Sequence, residues 1–388
     1  MLLPRNGAQR EGTWTGPREA LLAELGSALF ASLPRRDQRG KGLEYVRGLL
    51  TADGRKSIRN IAAAVGRPAA EQYLHHFVSD STWDVAPVRR ALANYVRRVV
   101  PLRAWVVRPT VIPKAGVHSV GVGRRFRLEQ GQSLNAQQAF GVWLASDEVA
   151  VPVNWRLYLP RTWLDDERRR RRAAIPDDVR PETFTDCATE VYLGTGARND
   201  FPVRPVVFDG RDVDVVAMVR RLRAARTPFL VRICPGQHLL AADAGLAGHS
   251  HEPNPADRIA SAVRDRRAFV PAPRPTVAAT ARVALPHGPQ PAGPGDLALL
   301  GVGRVDREWP GQLWLTNLVT AKPAALAPLT RLVDVVDRDF TRYSERVGIR
   351  DFAGRSFAGW NRHATLASAA HAVAALTDLT GHELRHVS

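Results

Sequence analysis

The sequence predicts an α/β protein with a helical N-terminal domain, and three observations support this. Between residues 39 and 103, apolar residues recur at helical spacing. From residue 104 onward, short apolar runs of strand length appear. Two of these runs flank a helical segment, Asp212 to Arg226, which is the pattern of a βαβ unit.

At 388 residues the chain is longer than a single-core domain usually is, so we expect more than one domain. The predicted domains are a partly ordered lead-in (1–38), a helical domain (39–103), the first part of a sheet-containing core (104–240), a Pro/Gly-rich insertion (241–295), and the second part of the core with C-terminal helices (296–388).

The helical domain contains two short helices about a glycine. Ser57 is placed to cap a helix that ends at Gly66, and Pro68 opens a second helix with Leu74 and Phe77 on its apolar face. Nearby cations make a DNA-binding helix-turn-helix one interpretation. An ordinary helical bundle explains the same pattern, so both interpretations stay open.

The core is predicted from strand-like runs and helical periods. The predicted strands are Ala104 to Val107, His118 to Val122, Ala139 to Leu144, Val206 to Phe208, Phe229 to Ile233 and Gln312 to Leu315. Two helices are predicted near the C-terminus, at about Pro328 to Val347 and Arg362 to Leu379. Seven prolines and three glycines between Pro271 and Gly295 predict an extended loop or a poorly ordered subregion.

The charge balance predicts a polyanionic partner. There are 55 Lys and Arg against 38 Asp and Glu, a net charge of +17. Binding to nucleic acid releases counterions and favours such a surface, although a GC-rich genome also enriches arginine. The run Arg168 to Arg172 is either a solvated helix face or a phosphate-tracking patch. The candidate DNA-binding residues are Arg55, Lys56, Arg59, Arg67, Lys114, Arg168, Arg169, Arg170, Arg220 and Arg221.

Other classes of protein lose support. Only two cysteines occur, no apolar run is long enough for a membrane span, and Met1 to Arg10 lacks the apolar stretch of a secretory signal. We therefore expect a cytoplasmic protein without a membrane partner. No P-loop, GxGxxG, GxSxG or CxxC pattern is present. His249 and His251 beside Glu252 are more typical of surface histidines than of a metal site, so no metal is predicted there.

Six segments together resemble the DDE transposases of bacterial insertion sequences, in particular the insertion sequence 701 family. They are EYVRGLL with RKSIRNIAAAVG (44–66), HHFVSDSTWD (75–84), VIPKAGVHSVGV (111–122), NWRLYLP (154–160), LWLTNL (313–318) and GRSFAGWNRHATLASAAHA (354–372). They occur in family order over roughly residues 20 to 380. The resemblance implies an RNase H-like, retroviral-integrase-like core behind a helical N-terminal domain.

The resemblance also implies three carboxylates that hold two divalent metal ions. The position of the first carboxylate reads Arg108-Pro109-Thr110, and no Asp or Glu lies between Asp84 and Glu129. The second corresponds to Asp209 and the third to Asp337, three residues before Phe340. Ser344 stands where the family has a lysine that approaches DNA. Asp209 and Asp337 are thus expected to be remnants of a triad whose first position is now a cation.

The leading hypothesis is a transposase-derived DNA-binding protein without catalysis, acting as a regulator or architectural factor. It needs no cofactor; its partner is double-stranded DNA, and a homodimer is compatible with this ancestry. One alternative is an active transposase or nuclease that uses Mg²⁺, Asp209, Asp337 and a displaced acid such as Glu129 or Asp147. Another is a core that binds a small molecule or a protein, or performs new chemistry with His118, His249 or Asp209.

Overall fold

The computed structural model describes residues 16–127, 132–196, 200–243, 252–286 and 296–386. The helices in these ranges are α1 (Pro17–Phe30), α2 (Arg36–Thr51), α3 (Ile58–Val65), α4 (Ala70–Ser79), α5 (Val85–Val99), α6 (Arg161–Leu164), α7 (Glu167–Arg172), α8 (Phe184–Leu193), α9 (Val215–Ala224), α10 (Ala256–Ala262), α11 (Pro323–Thr330), α12 (Leu332–Asp339) and α13 (Phe357–His386). The strands are β1 (Ala104–Pro113), β2 (Gly123–Arg127), β3 (Gln132–Ala145), β4 (Ala150–Tyr158), β5 (Val206–Asp209), β6 (Phe229–Ile233), β7 (His238–Ala241), β8 (Asn254–Pro255), β9 (Ala268–Val270), β10 (Thr276–Ala284), β11 (Leu297–Arg304) and β12 (Gln312–Thr316).

The strands form one mixed sheet in the order β2-β3-β1-β5-β6-β12-β11-β10-β7-β8, with β4 on β3 and β9 on β10. Strands β1, β3 and β4 pair antiparallel, whereas β1, β5 and β6 pair parallel. The order β4-β3-β1-β5-β6 is that of an RNase H-like core, so the predicted fold class is confirmed. The parallel strands carry nearly continuous buried apolar residues, because helices cover both of their faces.

Helices α1 to α5 form the helical N-terminal part; α1, α2, α4 and α5 pack on α13, and α3 packs on α2 and α4. The predicted caps of α3 are confirmed: the Ser57 side chain accepts a hydrogen bond from Asn60 N, and Gly66 adopts a left-handed φ of 69°. The next helix begins at Ala70, two residues after Pro68. The predicted lead-in (1–38) contains a helix that the sequence did not predict, α1 (Pro17–Phe30). Its apolar side chains are buried against α5 and α13, and such packing stabilises a helix whose own periodicity is weak.

The βαβ unit is confirmed, because β5 and β6 are parallel and α9 connects them. Helix α9 is shorter than predicted, and its buried side chains are Val215, Met218, Val219 and Leu222. The predicted helix from Pro328 to Val347 is instead α11, α12 and a π-helical turn, Phe340–Ser344. Pro328 lies inside α11, where it removes a backbone donor, and the chain starts a new helix after Arg331.

One strand prediction and one loop prediction are wrong. The segment from His118 to Val122 is a turn, because Gly121 has a φ of 76° and packs closely on Leu157. Within Pro271 to Gly295, residues Thr276–Ala284 form β10, which pairs with β11 along its whole length. The prolines stand outside these nine residues, so composition averaged over the segment concealed a strand. Residues 287–295 lie outside the described ranges. Among the described helices, none is long and apolar enough to cross a membrane.

Candidate functional site

The end of the central strands and helix α12 bring the predicted remnant residues together. Val107 of β1 is paired with Phe208 of β5 in the parallel register, so Arg108 and Asp209 follow at the same level. Helix α12 packs against both strands and carries Asp337. Three segments far apart in sequence therefore converge on one region of the sheet.

Arg108 forms an ion pair with Asp337. Its Nε donates to Asp337 Oδ1 at 2.7 Å, while its Nη1 donates to Pro109 O and to Thr110 Oγ1, each at 3.1 Å. The guanidinium also lies 3.8 Å from the ring centroid of Phe340, a cation–π contact. Arg108 is thus held in place from three sides.

Asp209 has a different cationic partner. Arg211 grips it with two bonds, from Nε to Oδ1 at 2.8 Å and from Nη2 to Oδ2 at 2.6 Å. Arg232 Nη1 lies 3.9 Å from Oδ2. Burial opposes ionisation of Asp209, but the hydrogen bonds and charge of Arg211, with the charge of Arg232, outweigh it and lower the pKa. Each remnant carboxylate is therefore neutralised by its own arginine, rather than both by Arg108.

Asp334 is a further acid that sequence reasoning missed. It lies one turn before Asp337 on α12. Burial, together with the nearby negative charge of Asp337, raises its pKa, and Arg232 partly offsets this. The i, i+3 spacing of two acids on one helix was a visible signal. The position of Arg211, two residues after Asp209, was likewise a signal in the sequence that this arginine could pair with Asp209.

The chemistry open to this site follows from its charges. Arg108, Arg211 and Arg232 surround the carboxylates of Asp209 and Asp337. Among the described residues, no group of three or more His, Cys, Asp or Glu is arranged to hold a metal ion. Hard divalent cations need several anionic oxygens, and here those oxygens accept bonds from guanidinium groups.

The alternative acids and histidines lie elsewhere or outside the described residues. Asp147 pairs with Arg103 at 2.9 Å in the turn between β3 and β4. That turn follows Ala145, which pairs with Ala104, four residues or roughly 13 Å along β1 from Arg108. His118 is exposed in a turn. Glu129, His249 and His251 fall outside the described residues.

The candidate DNA-binding residues of the N-terminal part divide into exposed and buried cations. Arg55 and Arg59 are exposed, and Arg67 is exposed beside Glu44 at 2.7 Å. Lys56 is buried: its Nζ donates to Ala52 O, and burial lowers its pKa. Lys56 is therefore placed as a structural residue rather than as a surface cation.

Lys114 is also placed inside the fold. Its Nζ donates to Phe352 O at 2.7 Å and to Arg350 O at 3.3 Å. Burial, with the charge of Arg55, lowers the pKa of Lys114 to about 8. Ser344, which stands where the resembling family has a lysine that approaches DNA, is fully buried, and its hydroxyl donates to His371 Nδ1. Both positions now stabilise the packing around α13.

The remaining candidates lie on α7 and α9. Arg168 and Arg220 are exposed. Arg169 lies over Trp163, while Arg170 donates to the carbonyls of Pro176 and Val179. Arg221 is engaged in ion pairs with two acids of α8, Asp186 and Glu190. Exposed cations on this part of the surface are thus fewer than the sequence suggests.

Comparison with known proteins assigns the chain to a family. Residues 28–286 match the family model described as DDE superfamily endonuclease. Among solved structures, the chain is similar to the piggyBac transposase in a cryo-EM structure of its synaptic complex with hairpin DNA. The identity is 10%, the TM-score is 0.39, and the match covers 94% of this chain and 74% of that one. No curated protein matches the chain. Because the family model spans most of the sequence, the chain belongs to the DDE superfamily endonuclease family.

Proposed function

We propose that this chain is a DNA-binding protein derived from an insertion-sequence transposase of the 701 type, that it has lost metal-dependent cleavage, and that it serves a regulatory or architectural role. The observation that carries the proposal is the ion pair between Arg108 Nε and Asp337 Oδ1 at 2.7 Å. It places a positive charge where two-metal chemistry requires an anion.

Electrostatics argue against metal occupancy at this site. A divalent ion would have to displace Arg211 from Asp209 and Arg108 from Asp337, and would then face three nearby guanidinium groups. Arginine stays charged at any physiological pH, so deprotonation cannot relieve this repulsion.

The proposed DNA partner rests on charge and ancestry. The chain carries a net charge of +17, and Arg55, Arg59 and Arg168 are exposed. Arginine and lysine contacts to phosphate supply most sequence-independent affinity for DNA. A homodimer, in which two copies hold two DNA sites, is the assembly that this proposal favours.

The decisive experiment combines gel shift and cleavage on the same duplex DNA. We expect salt-sensitive binding and no strand cleavage with either Mg²⁺ or Mn²⁺. Absence of DNA binding at moderate ionic strength would contradict the proposal, as would metal-dependent cleavage that the Asp209→Asn variant abolishes.

A matched control separates a role in catalysis from loss of an ion pair. Asp306 is gripped by Arg304 with two bonds, at 2.9 and 2.6 Å, much as Asp209 is gripped by Arg211. Asp306→Asn removes an equivalent pair away from the site. Cleavage lost in Asp209→Asn but kept in Asp306→Asn would assign activity to the old centre.

An active Mg²⁺-dependent nuclease is the second candidate, and Asp334 is the observation that favours it. It lies on the same helix as Asp337, and the negative charge of Asp337 helps to raise the pKa of Asp334. Asp209, Asp334 and Asp337 would then supply the acids, after Arg211 and Arg108 release Asp209 and Asp337. Mg²⁺-dependent cleavage lost in both Asp209→Asn and Asp334→Asn would select this candidate.

A further inference from the structure

A cavity of about 710 Å³ lies away from the remnant carboxylates. It is bounded by the start of α5, strand β4, the end of α8 and the start of α13. Its lining includes none of Arg108, Asp209, Asp334 or Asp337. Whatever it binds is therefore independent of the old catalytic centre.

Arg89 is a charged group on the wall of this cavity that is held by neutral oxygens. Its five N–H groups donate to Thr365 Oγ1, Asn154 Oδ1, Trp155 O and both the carbonyl and amide oxygens of Asn361, at 2.8 to 3.2 Å. Burial lowers the pKa of Arg89 to about 10, so it remains charged at neutral pH. Asp84, another residue of the cavity wall, acts electrostatically on Arg89 and partly compensates its charge. The lining as a whole carries five arginines and three acids, and this excess of positive charge favours an anion in the space.

Arg362 repeats this arrangement on the same cavity. It is 8% exposed, and it donates to the carbonyls of Trp83, Val78 and Ser79. These acceptors are neutral as well. Two guanidinium charges thus face one cavity, and the oxygens that hold them carry no charge.

The rim adds charge that a ligand can contact directly. Arg180 is exposed there and makes no ion pair with other described residues. Arg156 is held in a fixed orientation by Glu182, with bonds at 2.9 to 3.1 Å. The first turn of α13, which carries the positive end of the helix dipole, lines the same space.

The other walls are apolar. Val85, Pro87, Leu157, Val179 and Phe357 line the cavity between the arginines. Cavities of this volume and mixed lining are typical of sites for small organic ligands. A ligand that suits both the arginines and the apolar walls has a strongly anionic group joined to a flat, largely apolar body.

We propose that this cavity binds one nucleotide, its phosphate directed at Arg180 and the charge of Arg89 and its base placed against the apolar wall. The nucleotide is either a free nucleoside monophosphate or the 5′-phosphorylated end of a DNA strand. In both cases the recognised chemistry is a phosphate monoester next to a base.

Isothermal titration with the full chain tests this. The probes are dAMP, deoxyadenosine, and a short single strand with and without a 5′-phosphate. The variants are Arg180→Ala and Arg180→Glu, and the control is Arg36→Ala, an equally exposed arginine that does not line the cavity. Because Arg180 is exposed, its replacement leaves the fold intact, which circular dichroism checks.

We expect phosphate-dependent binding that Arg180→Ala weakens about tenfold, the usual effect of losing one charge-assisted hydrogen bond, and that Arg180→Glu weakens further. Arg36→Ala leaves it unchanged. Binding of dAMP identifies a free nucleotide, whereas binding of the phosphorylated strand alone identifies a strand end. Equal binding of deoxyadenosine and dAMP overturns the proposal, and so does affinity that is the same in all variants. Duplex DNA binding by gel shift is measured separately, so its failure leaves this test intact.

Discussion

Arg108 shows how one side chain changes what its neighbours can bind. It lies at the level of Asp209 on the adjacent strand and is paired with Asp337 on α12. The cation–π contact with Phe340 and the two bonds to Pro109 and Thr110 hold the guanidinium in place. The carboxylates are therefore satisfied without metal.

We predict that Arg108→Asp creates a metal-binding site. Three carboxylates would then face one another, so the variant should be destabilised without metal and recover in Mn²⁺. At a metal concentration of about 100 times Kd, the recovery should be about 2.7 kcal/mol. Thermal unfolding with and without Mn²⁺ measures it.

The control for this prediction is Arg304→Asp, which places an acid beside Asp306 on the surface. It should show no comparable stabilisation by Mn²⁺. If Arg108→Asp also fails to respond to Mn²⁺, the remnant acids do not converge closely enough to share an ion.

Helix α13 is the element that joins the two parts of the molecule, and buried histidines make its contacts. His371 Nε2 donates to Ala150 O of β4 at 2.8 Å, and Ser344 donates to Nδ1 at 2.9 Å. His363 similarly donates from Nε2 to Gly348 O and accepts from Tyr45 at Nδ1. Both rings are therefore neutral, with the proton on Nε2.

These histidines predict acid sensitivity. Burial lowers the pKa of each to about 4, below the value near 6.5 of an unfolded chain. The unfolded chain takes up protons first, so the stability contributed by each histidine is complete above about pH 6.5 and is lost as pH falls toward 4.

We expect His371→Gln to reduce the slope of unfolding free energy against pH in this window by up to about 1.4 kcal/mol per pH unit. Urea denaturation at several pH values measures the slope. His75→Gln is the control, because His75 is 61% exposed. An unchanged slope in His371→Gln would mean that its ring already protonates like an exposed one.

The contact between α2 and α3 allows a second test at the level of elements. A Cβ at Gly48 would lie 2.5 Å from Ile61 Cγ2 and 3.1 Å from Ile61 O, whereas one at Gly40 would meet nothing within 4 Å. Gly48→Ala should therefore destabilise the protein by about 1–3 kcal/mol. Gly40→Ala, in the same helix, should be neutral or stabilise it by up to about 1 kcal/mol. Chemical denaturation measures the change in unfolding free energy of both variants. Equal changes in Gly48→Ala and Gly40→Ala would rule out close packing of α2 on α3.

For the whole molecule, the excess of arginine can contribute to DNA binding only where the side chains are exposed to solvent. Lys56 is buried, Lys114 is half-buried with its Nζ bonded to backbone carbonyls, and Arg221 is engaged with two acids, so these cations add little to a DNA-binding surface. Arg55 and Arg59 lie exposed beside and on α3. The proposed interface therefore depends on fewer residues than the composition suggests.

We predict that replacing Arg55 and Arg59 together by Ser weakens duplex binding and lowers the slope of log affinity against log salt by about 2, since each lost phosphate contact contributes about 0.9. Fluorescence anisotropy at several salt concentrations measures this. The control is the double replacement of Arg274 and Arg307, two exposed arginines in the second half of the sheet. A similar change in both double variants would indicate general charge rather than an interface at α3.

Sequence reasoning succeeded where the signal was local. The caps of α3, the strands Val206 to Phe208 and Phe229 to Ile233, and the helix between these strands could be predicted because capping and periodicity act over a few residues. It failed for α1 and β10. The first is stabilised by distant helices, and the second lies between prolines that dominate the local composition.

By itself, the sequence determined the RNase H-like fold class and the presence of a cation, Arg108, in the first strand of the sheet, because both are matters of residue type and order. Only the tertiary structure decided which charges meet. It paired Arg108 with Asp337 and Arg211 with Asp209, and it buried Lys56 and half-buried Lys114 while leaving Arg55 and Arg59 exposed. Electrostatic partners depend on distance and burial, and for residues as far apart in the chain as Arg108 and Asp337 both are set only when the sheet and helices pack.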